Sequence, residues 1–122
     1  MTIKIVAYEP TWPAQFEAEA ARLRATLAER ALRIEHVGST SVPGLAAKPV
    51  IDIQVSVATL DAIQELKAAL ARLGYGHIAV GAFDLVYPFF RKPPDWPSTH
   101  HVHLCVAGVG RAGCSPSVRL WP

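Results

Sequence analysis

Hydrophobic and polar residues alternate most clearly over residues 49–57, which read PVIDIQVSV. Alternation of this kind places successive side chains on opposite faces of a β-strand. The residues of one face are all aliphatic: Ile51, Ile53, Val55 and Val57. The other face carries Val50, Asp52, Gln54 and Ser56. The pattern therefore predicts a strand with one face buried under helices and one face that presents an acid and an amide.

Two stretches show the three- and four-residue spacing of apolar residues that is typical of amphipathic helices. The first begins at a predicted N-cap, Thr11, and runs to about Arg30. The second begins at a predicted N-cap, Thr59, and runs to Leu73, where Gly74 ends it. The predicted buried stripes are Phe16, Ala20, Leu23 and Leu27 in the first helix, and Ala62, Leu66, Ala69, Leu70 and Leu73 in the second.

Further apolar or alternating segments predict strands at 3–8, 32–37, 76–80, 83–91 and 100–108. The order βαββαβββ indicates an α+β domain with a mixed sheet of at least four strands and both helices on one face. The strand at 49–57 should be internal, because its aliphatic face needs a helix over it. Pro88 predicts a bend or an edge position in its strand.

The length of 122 residues suits one domain. We assign residues 1–108 to this domain and 109–122 to an irregular tail, because turn and breaker residues stand there in place of a further helix. The formal net charge is only +2, which gives no electrostatic case for a nucleic-acid partner.

Localisation is predicted from the segments that the chain lacks. No apolar run has the length of a signal-peptide core or of a membrane span, so we expect no membrane partner. The two cysteines match neither a metal spacing nor a disulfide framework. These observations predict a cytoplasmic protein.

Residues 35–55, EHVGSTSVPGLAAKPVIDIQV, differ from ordinary packing segments. A Walker A loop is excluded, because Pro43 stands where that motif needs a glycine. The Gly-x-Ser-x-Gly nucleophile elbow and the dinucleotide-binding fingerprint are also absent. What remains is Gly38 followed by Ser39, with Asp52 on the next strand.

This arrangement suits a phosphorylated ligand. A glycine lets a phosphate approach the backbone, where N–H groups and the Ser39 hydroxyl can donate hydrogen bonds to it. Asp52 can hold a magnesium ion that bridges to the same phosphates. Further candidates for phosphate or nucleotide binding are Thr40, Ser41, Lys48 and Arg91.

A simpler interpretation of the same residues stays open. Gly38 and Gly44 are then turn residues, the hydroxyls cap a short helix, and Asp52 accepts a hydrogen bond. Lys48 and Arg91 are then solvated strand ends.

His101 and His103 lie two residues apart on a predicted strand and so share one face. If this strand neighbours Asp52, two imidazoles and a carboxylate can bind a transition metal and support a metal-dependent hydrolase. Gln54 is then a weaker ligand through its neutral carbonyl. The alternative is a pair of hydrogen-bonded or solvated histidines. We interpret the aromatic residues as core or helix-staple residues: Tyr8, Trp12, Phe89 and Phe90.

Four segments together resemble the GrpB family, also called UPF0157: YEPTWPAQFEAEAARLRATL, IEHVGSTSVPGLAAKPVIDIQV, the LGY after the second helix, and HVHL. The resemblance covers roughly residues 3–108. The family is placed in the nucleotidyltransferase superfamily, whose signature is Gly-Ser followed by a strand that bears Asp/Glu-x-Asp/Glu. The family also occurs after the kinase domain of some dephospho-coenzyme A kinases. That fusion implies an alternative role, a non-catalytic module that binds or assists a partner protein.

Within this resemblance, Gly38 and Ser39 match the Gly-Ser pair and Asp52 matches the first acid, whereas Gln54 stands in place of the second acid. The resemblance therefore implies a nucleotidyltransferase-like fold that binds a nucleotide or another phosphorylated small molecule, and it leaves open whether the protein is an enzyme. The implied cofactor is a divalent metal, magnesium or manganese ahead of zinc. Chains of the family continue after HVHL into a helical segment that residues 109–122 do not resemble, so we expect a truncated or divergent C-terminus.

Overall fold

The computed structural model of the chain describes residues 5–78, 88–94 and 98–107. The helices are α1, Trp12–Leu27, and α2, Ile63–Arg72. The strands are β1, Arg33–Val37; β2, Ile51–Val57; β3, Gly76–Ile78; β4, Phe89–Lys92; and β5, His100–Val106. Short 3-10 helices follow α1 at Ala28–Arg30 and β1 at Ser39–Ser41.

The described strands form one five-stranded mixed sheet in the order β1-β2-β5-β4-β3. Strand β2 pairs antiparallel with β1 and parallel with β5, so the predicted internal position of this strand is confirmed. The aliphatic residues of β2 share one buried core with α1 and α2. The predicted α+β class, with helices on one face of a mixed sheet, is therefore confirmed.

The helix boundaries agree with the sequence except at the start of α2. Thr11 is the N-cap residue of α1, as predicted, although its side chain makes no capping hydrogen bond. Thr59 does not cap α2, because its hydroxyl accepts a hydrogen bond from the backbone N–H of Asp61 at 3.1 Å and the helix begins only after Ala62. Gly74, with φ of +97°, ends α2 as predicted.

The strand predicted at 3–8 is wrong within the described residues. Val6 makes only an isolated antiparallel bridge with Ala47. Strand β3 matches the start of the segment predicted at 76–80, and β4 matches the end of the segment predicted at 83–91. Residues 79–87 and the tail at 109–122 lie outside the described residues, and so does the predicted domain limit at residue 108.

In the described part of the chain, no helix has the length and hydrophobicity needed to cross a membrane. The cytoplasmic location stays a prediction.

The core contains a carboxylate that the sequence analysis missed. The side chain of Glu19 in α1 is 0% exposed. It accepts hydrogen bonds from Lys92 Nζ at 2.6 Å, from the Tyr75 hydroxyl at 2.7 Å and from Arg22 at 2.7 Å. Burial raises the pKa of Glu19, but the hydrogen bonds from Lys92 and Tyr75 lower it by more, so the group is ionised. This buried ion pair ties α1 to β4.

Candidate functional site

The sheet face opposite the helices is polar, because neighbouring strands place their polar residues in register. One row across β2, β5 and β4 consists of Asp52, His101 and Arg91. The adjacent row, which begins on β1, consists of Glu35, Gln54, His103 and Phe89. We call these seven residues the polar sheet face.

Asp52 lies at the centre of this face between the two predicted histidines. Its Oδ1 atom is 3.2 Å from His101 Nδ1 and 3.8 Å from His103 Nε2, so the first contact is close and the second has only the length of an ion pair. Burial raises the pKa of Asp52, but the two histidines lower it by more, to about 2. The tertiary structure therefore brings together an ionised carboxylate and two imidazoles, because β2 and β5 are neighbouring strands, which is the condition that the sequence analysis set for this cluster.

The glycine turn abuts the same carboxylate. Gly38 has φ of +76°, and a Cβ atom built on it would lie only 2.6 Å from Asp52 Oδ2. Two separate constraints therefore require glycine at this position: a backbone conformation that L-residues rarely adopt, and a space that Asp52 fills. The predicted neighbourhood of Gly38 and Asp52 is present in the structure.

The three hydroxyls of the turn have different surroundings. Thr40 is buried, and its hydroxyl donates to the carbonyl of Val50 at 3.0 Å. Ser41 donates its hydroxyl to the carbonyl of Gly38 at 2.5 Å. Both hydroxyl protons are thus used to hold the turn. Ser39, which is half-buried, makes no side-chain hydrogen bond in the residues that the structure describes, so its hydroxyl remains available to a ligand.

His36 supports the turn from the helix side of the sheet. Its Nε2 lies 2.9 Å from the Thr40 hydroxyl oxygen, and its ring stacks on Phe16 at 4.9 Å between centroids. Because the Thr40 proton goes to Val50, His36 Nε2 carries the proton in its contact with Thr40. Burial lowers the pKa of His36, although the charge of Asp52 acts against this. His36 is thus a structural residue.

The two predicted phosphate-binding cations have different positions. Arg91 belongs to the polar sheet face and is the direct cross-strand partner of His101. Lys48 is exposed in the loop before β2, and no contact joins it to Asp52 or Arg91 in the described part of the chain. Only Arg91 is therefore placed beside the Asp52 cluster.

Two residues of the polar sheet face were missed by the sequence analysis. Phe89, predicted as core, is only half-buried and contacts both histidines. Its ring stacks on that of His103 with the centroids 4.9 Å apart, and it forms an edge-to-face contact with His101 with the centroids 5.0 Å apart. Glu35 faces Gln54 and ion-pairs with Arg33 at 2.6 Å. The alternation of the strand predicted at 32–37 is the signal that places Glu35 on this face.

The donor atoms of this face do not form a preformed metal site. Magnesium prefers several carboxylate or water oxygens in an octahedron, whereas Asp52 is the carboxylate matched by the resemblance and its Oδ1 is already contacted by His101. Among residues 5–78, 88–94 and 98–107, no group of three or more histidine, cysteine, aspartate and glutamate residues is arranged to hold a metal ion. The polar sheet face therefore holds an Asp–His cluster whose groups contact one another and are not arranged around a metal position.

Replacing Asp52 with asparagine should remove part of the acid sensitivity of the fold. The folded-state pKa of about 2 lies below the ordinary value of 3.8 for an aspartate side chain. Ionised Asp52 therefore contributes stability above pH 4, by about 2 kcal/mol, and this contribution is lost as the pH falls through 2. Urea unfolding at pH 7, 5 and 3 should show the largest difference between wild type and D52N at pH 7 and the smallest at pH 3. D61N, at an exposed carboxylate, is the control; a D52N deficit that does not change with pH would contradict this origin.

The chain is similar to known proteins in both sequence and structure. The sequence profile of the family described as GrpB protein matches residues 2–114. UPF0157 protein PA4798 of Pseudomonas aeruginosa is 41% identical over 104 residues, which are 84% of this chain and 43% of that protein. A dephospho-CoA kinase of Mycolicibacterium paratuberculosis is 42% identical over 93 residues, which are 74% of this chain and 23% of the kinase. The crystal structure of conserved protein GrpB from Enterococcus faecalis superposes with a TM-score of 0.74 at 41% identity, over 84% of this chain and 61% of that one.

The chain spans less than half the length of the curated relatives that it matches. The match to the family profile, over residues 2–114, includes the polar sheet face.

Proposed function

We propose that this chain, which belongs to the GrpB family, binds a phosphorylated small molecule or nucleotide on its polar sheet face. The observation that carries the proposal is the contact between the glycine turn and the strand acid, since Gly38 has room for no side chain beside Asp52 Oδ2. A phosphate held by the backbone of this turn and by the Ser39 hydroxyl lies next to Asp52. Such a pairing of a Gly-Ser turn with a strand acid is typical of the nucleotidyltransferase superfamily, to which we assign the fold by analogy.

The charges of the face support an anionic ligand in a defined orientation. Arg91 supplies a permanent positive charge two strands away from the turn, with Asp52 and His101 between them. A ligand that extends from Ser39 to Arg91 therefore crosses the Asp–His cluster. A divalent metal, magnesium or manganese ahead of zinc, is expected to arrive with the phosphates, because the protein groups alone form no cage for it.

A screen of nucleotides and phosphorylated metabolites by thermal unfolding tests the proposal. A phosphorylated compound at 100 times its Kd should stabilise the fold by about 2.7 kcal/mol, which for a domain of this size is roughly 10 °C. Its dephosphorylated counterpart should have little effect, and magnesium alone should bind weakly. The shift should fall in D52N and persist in D61N. If no phosphorylated compound stabilises the chain with or without magnesium, the proposal is wrong.

A second candidate function is a non-catalytic module that binds or assists a partner protein. It is favoured by the similarity to 23% of the length of a dephospho-CoA kinase, since most of that kinase lies outside the similar region. This candidate predicts no stoichiometric metal by elemental analysis. The non-catalytic module also predicts that D52N associates with the partner protein as well as the parent protein does. The first candidate predicts instead that D52N weakens ligand binding.

A further inference from the structure

Two nitrogen atoms of the polar sheet face are buried and lack a hydrogen-bond partner among the described residues: Arg91 Nε and His101 Nε2. Buried polar atoms in folded proteins almost always have a partner, so an unpartnered one marks a position where a ligand or water is expected. Arg91 and His101 are direct partners across the antiparallel β4–β5 pair. In such a pair the Cβ atoms are about 4.5–5.5 Å apart, so one small polar group can contact both side chains.

Both side chains are held by other contacts, which leave these two nitrogen atoms available. Arg91 Nη2 donates to the carbonyl of Pro94 at 2.6 Å. A Cβ atom built on Gly76 would lie only 2.6 Å from Cγ of Pro94. The loop after β4 therefore packs closely against β3. On the other side, Asp52 contacts Nδ1 of His101 at 3.2 Å. The guanidinium and the imidazole are thus oriented before any ligand binds.

We propose that a phosphoryl group of the ligand binds directly to Arg91 Nε and His101 Nε2, with no bridging metal. The inference rests on the proposed function and identifies the groups that recognise the phosphate. The planar arginine guanidinium donates strong charge-assisted hydrogen bonds to phosphate oxygens. The hydrogen bond at His101 Nε2 can form in two ways. A phosphate monoanion can donate its proton to a neutral imidazole, or a protonated imidazole can donate to a phosphate dianion.

The charge of the face agrees with direct binding. Magnesium normally screens the repulsion between phosphates and neighbouring carboxylates. Here the second acid position of the resemblance is Gln54, which carries no charge. Asp52 Oδ1 is already contacted by His101 and His103, and Glu35 is paired with Arg33. A carboxylate at position 54 would repel a phosphoryl group that arrives without a metal. The glutamine that weakens a magnesium site therefore favours a metal-free anion site.

The test is an NMR titration of the 15N-labelled full chain with inorganic phosphate and with inorganic pyrophosphate, in EDTA at constant ionic strength. We expect saturable shifts of the His101 side-chain resonances. R91Q should weaken the affinity at least tenfold, and R91K, which keeps the charge but lacks the guanidinium geometry, should weaken it less. R72Q removes an exposed arginine of α2, in the helix layer, and should stay within twofold of wild type. H101Q should lose binding as R91Q does, and urea unfolding verifies that each variant is folded.

Failure of this inference and failure of the proposed function give different results. If phosphate and pyrophosphate bind only after magnesium is added, or if R91Q and H101Q bind like wild type, direct recognition is wrong while phosphate binding by the face stands. If neither anion and no nucleotide binds with or without magnesium, both proposals are wrong. Metal-free binding that R91Q and H101Q abolish supports both.

Discussion

Replacing Lys92 with methionine should destabilise the protein by about 3 kcal/mol, because it removes the cation closest to a fully buried carboxylate. Lys92 Nζ lies 2.6 Å from Glu19, whose side chain is 0% exposed. The other cation that ion-pairs with Glu19 in the described part of the chain, Arg22, is 58% exposed, so water screens much of its charge. The variant also loses the contact of the ammonium group over the Tyr75 ring, at 5.2 Å from the centroid. Urea unfolding at pH 7 measures the loss.

The pH dependence and a double variant identify the cause of this loss. Without Lys92, burial should dominate and raise the pKa of Glu19, so the deficit of K92M should shrink as the pH falls and Glu19 takes up a proton. E19Q combined with K92M should recover much of the stability at pH 7, because the neutral amide still accepts the Tyr75 hydroxyl. A deficit that is equal at pH 7 and pH 4 and is not recovered by E19Q would show that lost packing, and not charge, is responsible.

Gly38→Ala should cost about 2–6 kcal/mol of stability and disrupt the Asp52 cluster. The backbone of Gly38, with φ of +76° and ψ of −171°, lies in a region almost restricted to glycine, which costs another residue about 1–3 kcal/mol. Forcing a methyl group into occupied space costs about 1–3 kcal/mol. The new Cβ atom would lie 2.6 Å from Asp52 Oδ2, so the carboxylate must move and its contacts with the histidines should weaken. Urea unfolding gives the free energy, and histidine NMR resonances report the change at the cluster.

Gly44 provides a matched control within the same loop. Its φ is +83°, but a Cβ atom there would meet nothing within 4 Å, so G44A should lose only the conformational part. The extra loss in G38A measures the contact with Asp52. In a D52S background, G38A should lose only about as much as G44A does, because serine has no atom in the position of Oδ2. Equal losses in G38A and G44A, or an undiminished loss from G38A in the D52S background, would contradict the role of this contact.

The main features of the fold were predictable because they depend on local periodicity. The aliphatic face of β2 has to be buried, and two amphipathic helices were available to cover it, so the mixed sheet and its helix layer followed from the pattern. The wrongly predicted start of α2 also depends on a local contact. Thr59 has the residue type of an N-cap, but its hydroxyl bonds to Asp61 before the helix starts, and residue type alone does not distinguish these two uses.

Within the site, the sequence by itself determined which side chains share a face. The alternation along each strand placed Asp52 and Gln54 on one face, and His101 and His103 on one face. The Gly-Ser dipeptide identified Gly38 and Ser39 as candidate phosphate-binding residues. Strand order and register were decided only by the tertiary structure, because pairing between distant segments depends on how the whole sheet packs and not on any one segment. The parallel pairing of β2 with β5 brings His101 to Asp52, and the antiparallel pairing of β4 adds Arg91.

Burial was likewise decided only in three dimensions. Glu19 lies in a helix whose pattern gives no sign that it is a core residue, yet it is fully buried because Lys92 and Tyr75, distant in sequence, meet it there. Phe89 is of a residue type that is usually buried in the core, but it packs against the histidines of the polar sheet face. Periodicity reports the face on which a side chain lies, whereas its partners and ionisation depend on groups that only the folded chain brings near it.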